Sequence, residues 1–329
     1  MRAVVCRQFA PRAELRLDTV PAPSAAEGQV VLRVEAGAIN FFDGLMVEGK
    51  YQTRPDLPFT PGSEAAGTVV EVGPGVADLQ PGARVLAFTG QGGYGEQVAV
   101  DASRVHPIPD AMSFEQAAGF LITYATSHHA LKDRAGLQAG ETVLVLGAAG
   151  GVGITAIEIA KRMGARVIAA ASTDEKLAIC RQRGADETIN YRTGDLRQGL
   201  KELTGGRGVD VVYDPVGGPA TETALRNLAV NGRHLVIGFA AGDIPRIPLN
   251  LLLLKQSSLI GVFWGAFAKA NPARNAANLA ELMTWFEDGS LRPHIGAVYP
   301  LDQFAEALDV VMERQAQGKV ILRMNTTAA

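Results

Sequence analysis

The spacing of apolar and polar residues separates the first part of the chain from the rest. Up to about residue 100, short apolar runs that mostly alternate with polar positions are separated by clusters of glycine and proline. Alternation with a period of two is typical of half-buried strands, so this part is predicted to form a small, mainly antiparallel barrel. The apolar runs are MRAVVC, VVLRVEAGAI, EAAGTVVEVG, ARVLAF and GEQVAV.

A different pattern begins at about Phe114 and continues to about Gly261, where apolar strands alternate with segments of helical periodicity. Such alternation predicts a doubly wound sheet of parallel strands that are buried on both faces. The six predicted strands are Val143–Leu146, Val167–Ala170, Thr188–Ile189, Val211–Val212, Leu235–Ile237 and Leu259–Val262.

The segment after the doubly wound unit is predicted to return to the first domain. It holds a predicted helix over 273–287 and a last strand over 320–322, and the doubly wound unit is already complete without them. The predicted domains are therefore 1–117 together with 264–329, and 118–263 between them.

The stretch from Thr142 to Gly164, TVLVLGAAGGVGITAIEIAKRMG, predicts one buried strand, one tight turn and one helix. Ala148, Gly150 and Gly153 follow the G-x-G-x-x-G spacing, with alanine in the first place. This turn lets backbone approach a pyrophosphate, and the helix N-terminus favours anions. Because a second strand and helix follow, the motif predicts dinucleotide binding; a glycine bend that serves packing alone is the alternative.

The end of the second strand indicates which dinucleotide is preferred. Ser172 and Thr173 stand where an acidic residue would bind the ribose 2′-hydroxyl. Without a carboxylate there, Ser172, Lys176 and Tyr191 are candidates to hold a 2′-phosphate, which favours NADP over NAD. In the alternative, Lys176 is a solvated helix residue and Asp174 reaches the ribose.

Composition and charge exclude several classes of function. The 329 residues suffice for two domains, and a net charge of −3 offers no basic stripe for nucleic acid. No apolar run approaches the roughly 20 residues that span a bilayer, and the first residues form a predicted strand rather than a signal peptide. We therefore expect a cytoplasmic protein that does not insert into membranes. Cys6 and Cys180 are too few for a disulfide framework and are expected to be inert buried thiols.

The segment from Phe41 to Pro61 is predicted to be an irregular loop, because it combines several aromatic residues with glycines and prolines. Its aromatic side chains either line a pocket or cover a core. The composition alone favours neither.

These motifs together resemble the medium-chain dehydrogenase/reductase superfamily, and more closely its zinc-independent quinone oxidoreductase branch, over essentially the whole chain. The resemblance implies an α/β protein with a GroES-like, mainly antiparallel barrel domain and a Rossmann domain. It also implies a homodimer in which the Leu259–Val262 edge strands pair across a two-fold axis. The motifs that carry the resemblance are NFFD, LPFTPGSEAAGTVVEVG, ITYATSHHAL, AAGGVG, VVYDPVGG and GKVILR.

The chain departs from the zinc alcohol dehydrogenases of the same superfamily at two ligand positions. Asn40 stands where those enzymes place a zinc-ligating cysteine, and Gly62-Ser63-Glu64 replaces Gly-His-Glu. The neighbouring His128 and His129 would point about 100° apart on a helix, so they cannot easily share one ion. We therefore expect no zinc.

Without a metal to polarise an alcohol, the resemblance implies that NADPH reduces an electron-poor acceptor such as a quinone. A rival within enzymology is a double-bond reductase for alkenals, enones or enoyl thioesters. From another class, the chain would be an NADPH-binding structural or regulatory protein with vestigial activity.

The resemblance also assigns site residues. Tyr51 is predicted to donate a hydrogen bond to the developing oxyanion, with Asn40 as its orienting partner; alternatively, Tyr51 only packs the loop and hydride transfer needs proximity alone. Phe42, Tyr51 and Trp264 are predicted to contact the substrate. The predicted cofactor-binding residues are Asn40, Phe41, Phe42, Thr126, Gly150, Gly151, Val152, Ser172, Lys176, Tyr191, Phe239, Phe263 and Gly265.

Overall fold

The computed structural model describes residues 1–324, which fold as two units. The first unit contains Met1–Ile122 and the described part of the chain from Pro293 onward, and the second is Thr123–Arg292. The first unit is therefore assembled from two segments that are distant in sequence.

The bounds of the regular elements are as follows. The strands are β1 (Arg2–Val5), β2 (Arg16–Thr19), β3 (Gln29–Ile39), β4 (Glu64–Val72), β5 (Arg84–Phe88), β6 (Gln97–Asp101), β7 (Val105–Pro107), β8 (Thr142–Leu146), β9 (Arg166–Ala171), β10 (Glu187–Asn190), β11 (Val209–Asp214), β12 (Leu228–Val236), β13 (Ser258–Gly261), β14 (Ile295–Pro300) and β15 (Lys319–Arg323). The α-helices are α1 (Phe41–Val47), α2 (Phe114–Ala118), α3 (Leu121–His128), α4 (Gly151–Arg162), α5 (Asp174–Gln182), α6 (Leu196–Leu203), α7 (Pro219–Arg226), α8 (Asn250–Lys255), α9 (Trp264–Ala270), α10 (Pro272–Glu287) and α11 (Phe304–Met312).

The first unit is built on a seven-stranded sheet in the order β14-β15-β3-β4-β5-β7, with β6 paired to β3 as well. All of these pairs are antiparallel except β14 with β15. Strands β3 and β4 approach closely at Gly67, where a Cβ would lie 2.0 Å from the Arg33 carbonyl oxygen. The predicted antiparallel domain is confirmed, and β15 inserts a late segment of the chain beside β3.

The predicted loop over 41–61 is wrong at its start, because Phe41–Val47 form helix α1. The carboxylate of Asp43 accepts the backbone N–H of Asn40 at 2.9 Å, which satisfies a donor at the helix N-terminus. The Asn-x-x-Asp spacing is a start signal that predicts this helix once it is noticed. Farther along, Phe59 is buried against the core of the first unit, so at least one aromatic residue covers a core.

The second unit is a doubly wound α/β domain, as predicted. Its six strands are all parallel, in the order β10-β9-β8-β11-β12-β13. Every residue of β8 is buried, as expected for a central strand covered on both faces. The helix after β8 begins at Gly151 and is followed by Gly164 with a φ of +82°, a left-handed position suited to glycine after a helix C-terminus.

Helices α9 and α10 lie in the second unit, whereas the sequence predicted that residues from 264 onward return to the first. Both helices contact α3 or the π-helical turn His129–Arg134 that follows it. The ring of Phe267 stacks on His129 with centroids 3.9 Å apart. Glu281 Oε2 lies 2.9 Å from His128 Nε2. Such contacts join side chains more than 100 positions apart in the sequence, so the periodicity of apolar residues does not predict them.

Two further expectations concern cysteines and membranes. Both Cys6 and Cys180 are buried, and burial raises the pKa of the Cys180 thiol to about 12. Neither thiol is therefore primed as a nucleophile at neutral pH. Within residues 1–324, no helix has the length and apolar character needed to cross a bilayer.

Candidate functional site

A buried polar cluster in the first unit lies where three strands begin or end. Asn40 follows β3, Glu64 opens β4 and Lys319 opens β15, and all three residues are buried. Lys319 Nζ donates to Glu64 Oε1 at 2.7 Å and to Asn40 Oδ1 at 2.9 Å. Asn40 Nδ2 donates to the same Glu64 oxygen at 3.1 Å. The amide of Asn40 is therefore held by an ion pair, a role for Lys319 that the sequence analysis missed.

The second carboxylate oxygen of Glu64 is also engaged. Glu64 Oε2 accepts the backbone N–H of Ile122 at 2.9 Å. Ile122 lies in the first turn of α3, where backbone N–H groups have no acceptor within the helix. The carboxylate thus has a charged partner on one oxygen and a helix N-terminal donor on the other, as a buried charge requires.

Asp43 is the second buried carboxylate of the cluster. It accepts hydrogen bonds from Ser63 Oγ at 2.5 Å and Tyr94 Oη at 3.0 Å, in addition to the Asn40 backbone N–H. Burial raises the pKa of Asp43 to about 6, while these donors and the Lys319 charge act in the opposite direction. Asp43 consequently changes its charge just below neutral pH.

Tyr51 and Phe42 stack on each other in the same unit, with ring centroids 5.3 Å apart and planes inclined by 25°. Burial, and then the negative charge of Asp43, raise the pKa of the Tyr51 phenol. The hydroxyl therefore stays protonated at neutral pH and retains a hydrogen to donate. Phe41, at the start of α1, and Phe42 are both partly exposed. The structure brings Phe42 and Tyr51 together, whereas the Asn40 amide bonds Glu64 and Lys319.

In the second unit, the glycine turn between β8 and α4 has the geometry that the fingerprint requires. Gly147 has a φ of +56°, and a Cβ on Gly153 would lie 2.5 Å from the Gly147 carbonyl oxygen. Gly150 is the N-cap of α4 and has no side chain that could cap the helix. The backbone N–H groups of Gly151 and Val152 lie in the first turn of this 12-residue helix. This arrangement fits a pyrophosphate.

Hydroxyl groups on neighbouring residues hydrogen-bond to the backbone of that turn. The Val152 carbonyl accepts from Ser127 Oγ at 3.1 Å and from Thr155 Oγ1 at 3.0 Å. Ser127 Oγ also lies 2.8 Å from Tyr213 Oη, which belongs to the neighbouring strand β11. The predicted carboxamide partner, Thr126, is half-buried on α3 next to Ser127.

The residues predicted to hold a 2′-phosphate lie together beyond the ends of β9 and β10. Ser172 follows β9, Lys176 lies in the first turns of α5, and the Tyr191 backbone N–H donates to the Ala171 carbonyl at 3.1 Å. Burial, and then the nearby charge of Arg192, lower the pKa of Lys176. Sequence reasoning missed Arg192, although it follows Tyr191 directly.

Asp174, the alternative ribose ligand, is engaged elsewhere. Its Oδ1 accepts from Asn190 Nδ2 at 2.9 Å, and Asn190 Oδ1 accepts the backbone N–H of Arg192 at 3.1 Å. One oxygen of this carboxylate is thus tied to the end of β10.

The residues predicted for the nicotinamide half follow β12 and β13. Phe239 and Phe263 are 37% and 59% exposed, so both rings have area to offer a ligand. Gly265 lies in the first turn of α9. Trp264 differs from its neighbours, because it is buried and its indole N–H donates to Asn275 Oδ1 at 2.9 Å. That burial weighs against a substrate contact for Trp264.

Asp214 fixes the glycine turn after β11, and the sequence analysis gave it no role. Its Oδ1 accepts the backbone N–H groups of Val216 and Gly217, both at 2.9 Å. Its Oδ2 accepts from Thr221 Oγ1 at 2.5 Å and lies 3.0 Å from His234 Nε2. The Asp in VVYDPVGG is the sequence signal, since Asp before a glycine pair favours such turns.

Metal-binding chemistry is poorly represented among the residues that the structure describes. No three His, Cys, Asp or Glu side chains within 1–324 are grouped so that they could hold a metal ion.

Comparison with known proteins matches both units. Residues 26–110 match the alcohol dehydrogenase GroES-like domain, and residues 151–283 match the zinc-binding dehydrogenase family. A quinone oxidoreductase-like protein 2 homolog from Nematostella vectensis is 40% identical over 324 residues, covering 98% of this chain and 88% of that protein.

Solved structures agree over the whole fold. A mycobacterial protein complexed with NADPH is 32% identical, with a TM-score of 0.93 over 98% of this chain and 100% of that one. The Escherichia coli quinone oxidoreductase complexed with NADPH is 29% identical, with a TM-score of 0.92 over 98% and 100%.

Proposed function

Since the chain belongs to the quinone oxidoreductase branch of the medium-chain dehydrogenase/reductase superfamily and is an oxidoreductase, we propose that it reduces small quinones with NADPH and without zinc. The observation that carries the metal-free part of the proposal is the Lys319 ammonium, which donates hydrogen bonds to the side chains of Asn40 and Glu64. An electron-poor quinone accepts hydride without a Lewis acid, so this site needs no metal.

The donor chemistry of the cluster does not suit zinc. An amide at Asn40 and a hydroxyl at Ser63 replace the nitrogen and sulfur ligands that zinc prefers. The Ser63 hydroxyl donates to Asp43, and the Glu64 carboxylate is paired with Lys319. Each candidate ligand is therefore engaged within the protein.

The cofactor proposal rests on the second unit. Gly150, Gly151 and Val152 would hold the pyrophosphate, while Ser172, Lys176 and Tyr191 would hold the 2′-phosphate, and we add Arg192 to that group. Thr126, Phe239, Phe263 and Gly265 are proposed for the nicotinamide half. When bound, NADPH supplies a hydride.

In the first unit, Tyr51 is proposed to donate a hydrogen bond to the oxygen that gains negative charge on the acceptor. Its phenol is protonated at neutral pH, and the stacked ring of Phe42 fixes its orientation. Asn40, Phe41 and Phe42 are proposed to contact the cofactor or the acceptor as well, because they form the N-terminus of α1 and Phe42 stacks on Tyr51.

Steady-state oxidation of the cofactor tests the function. The purified protein is assayed with NADPH or NADH and with 1,4-naphthoquinone, an enone and an enoyl-CoA, before and after treatment with a chelator. We expect turnover of the quinone with NADPH, and no loss on chelation. Preference for the enone or the thioester supports a double-bond reductase, and NADPH binding without any turnover supports a structural or regulatory role.

We also propose a homodimer formed through strand β13. This strand is one of the two edges of the six-stranded sheet; Leu259 within it is exposed, as are Leu253 and Leu254 of the preceding helix α8. An unpaired apolar edge favours pairing with a second copy. Light scattering after gel filtration should give twice the mass of one chain, and Leu259→Lys should reduce the measured mass to that of one chain.

We also propose that the protein is cytoplasmic, and cell fractionation tests this location.

A further inference from the structure

The Lys319 ammonium lies in a complete set of oxygen acceptors. Besides Glu64 Oε1 and Asn40 Oδ1, it donates to the Ile39 carbonyl oxygen at 3.3 Å. An ammonium has three hydrogens, and these three acceptors take all of them. The residue is only 5% exposed, so the charge is neutralised inside the protein and not by solvent.

The ammonium dictates which way the Asn40 side chain faces. An amide has a carbonyl and an NH₂ end of nearly the same shape, and its orientation follows from its partners. Here the carbonyl accepts from Lys319 and the NH₂ donates to Glu64. Turning the amide around would place its NH₂ against the ammonium and its oxygen against the carboxylate. Lys319 and Glu64 therefore allow one orientation only.

The backbone around Lys319 is equally constrained. The Lys319 N–H donates to the His294 carbonyl at 3.0 Å, and the next residue pairs with Ile39 across β15 and β3. Gly318 has a φ of +86°, and a Cβ there would lie 2.6 Å from the His294 carbonyl oxygen. The Gly-Lys pair at the start of β15 thus places one ammonium beside one amide.

We propose that Lys319 is a positioning residue that acts through Asn40, an internal cation that orients the amide for the reaction. This role rests on the proposed function, because it requires that Asn40 contact the cofactor or the acceptor. Lys319 itself is enclosed by Ile39, Asn40 and Glu64, so it acts on the reaction only through these partners.

A double-mutant cycle in the full-length protein tests the proposal, with NADPH and 1,4-naphthoquinone as substrates. Lys319→Met keeps most of the side-chain volume and removes the charge; Asn40→Ala removes the amide. We expect each single variant to lower kcat by about tenfold or more, with KM for NADPH within about twofold. In the Asn40→Ala background, Lys319→Met should cause no further loss of kcat, because the amide that it orients is gone.

Arg323→Met is the matched control. Arg323 is the last residue of the same strand and pairs with Glu115 at 2.7 Å, but it is exposed. We expect its kcat to equal that of the wild type. Near-UV circular dichroism of each variant establishes that it is folded under the assay conditions.

If Lys319→Met alone does not fold, the pair Lys319→Met with Glu64→Gln replaces it, since this pair leaves no unpaired buried charge. The pair should show the same loss of kcat and the same lack of further loss with Asn40→Ala. The role of Lys319 is overturned if the losses of kcat in the two single variants multiply in the double variant. It is also overturned if either Lys319→Met or Asn40→Ala has a normal kcat. Wild-type protein that reduces no quinone overturns the proposed function instead, and the cycle is then run on the acceptor that the protein does reduce. Wild-type protein that reduces no acceptor overturns both the proposed function and the role of Lys319.

Discussion

The two units use positive charge in opposite ways. In the first, Lys319 is buried and all of its hydrogens are bonded to Ile39, Asn40 and Glu64. In the second, Lys176 lies near another cation, Arg192, whose charge helps to lower its pKa. Two neighbouring like charges favour the binding of an anion, whereas a neutralised ammonium stabilises its own surroundings. The first arrangement organises the protein itself, whereas the second supports our proposal that Lys176 and Arg192 bind the 2′-phosphate of the cofactor.

The largest effect should come from breaking the internal pair. Lys319→Met leaves the Glu64 carboxylate buried without a cation, which should cost about 3 to 5 kcal/mol of unfolding free energy. Arg323→Met, which breaks the exposed pair with Glu115, should cost about 1 kcal/mol or less. Denaturant unfolding measures both values. A Lys319→Met loss as small as that of Arg323→Met would contradict the structural importance of the buried charge.

The next effect concerns pH and the other buried carboxylate. Burial raises the pKa of Asp43 from 3.8 to about 6, a shift worth about 3 kcal/mol. Because the folded protein binds this proton more tightly than the unfolded chain, the stabilisation is complete below about pH 3.8 and is lost as the pH rises through about 6. As the pH rises from about 3.8 to about 6, the wild type should therefore lose up to about 3 kcal/mol of unfolding free energy relative to Asp43→Asn. A difference that does not vary with pH would show that Asp43 titrates normally.

Lys176 and Arg192, the proposed phosphate ligands of the second unit, should affect ligand binding and leave stability unchanged. Lys176→Ala or Arg192→Ala should lower kcat/KM for NADPH by about tenfold or more, since each removes a charged partner of a phosphate. The value for NADH should stay within about twofold, and the melting temperature should not change. Lys201→Ala, an exposed lysine of the same unit, is the control. Equal losses with both cofactors would exclude a 2′-phosphate site here.

The smallest expected effect tests whether the Tyr51 hydroxyl donates a hydrogen bond to the acceptor. Tyr51→Phe keeps the ring that stacks on Phe42 but removes the hydroxyl, so kcat should fall by about tenfold with little change in KM for NADPH. Tyr299→Phe, in the same unit, serves as the matched change of the same chemical kind. Unaltered turnover by Tyr51→Phe would leave Tyr51 as a packing residue.

What the sequence predicts well is local. The strand, turn and helix around Gly150 and Gly153 follow from apolar runs and glycine spacing within about twenty consecutive residues. Ser172, Lys176 and Tyr191 could be placed because each follows a predicted parallel strand, and parallel strands end at one edge of a sheet.

What the sequence does not predict depends on register and on distant partners. Lys319 and Glu64 are 255 positions apart, and their contact requires that β15 pair with β3 in one particular register. The Trp264 indole donates to Asn275 between two helices whose packing no periodicity specifies. These contacts are set by tertiary structure, so composition and spacing carry no signal for them.

The late position of Lys319 has a consequence for how the protein is made. Asn40 and Glu64 leave the ribosome long before their cation, and the whole second unit is translated in between. Until β15 has been synthesised, the Glu64 carboxylate lacks its charged partner, and burying it as an anion would cost free energy. A chain that ends upstream of Gly318 would therefore lack the cation of Glu64, even though its second unit, Thr123–Arg292, is complete.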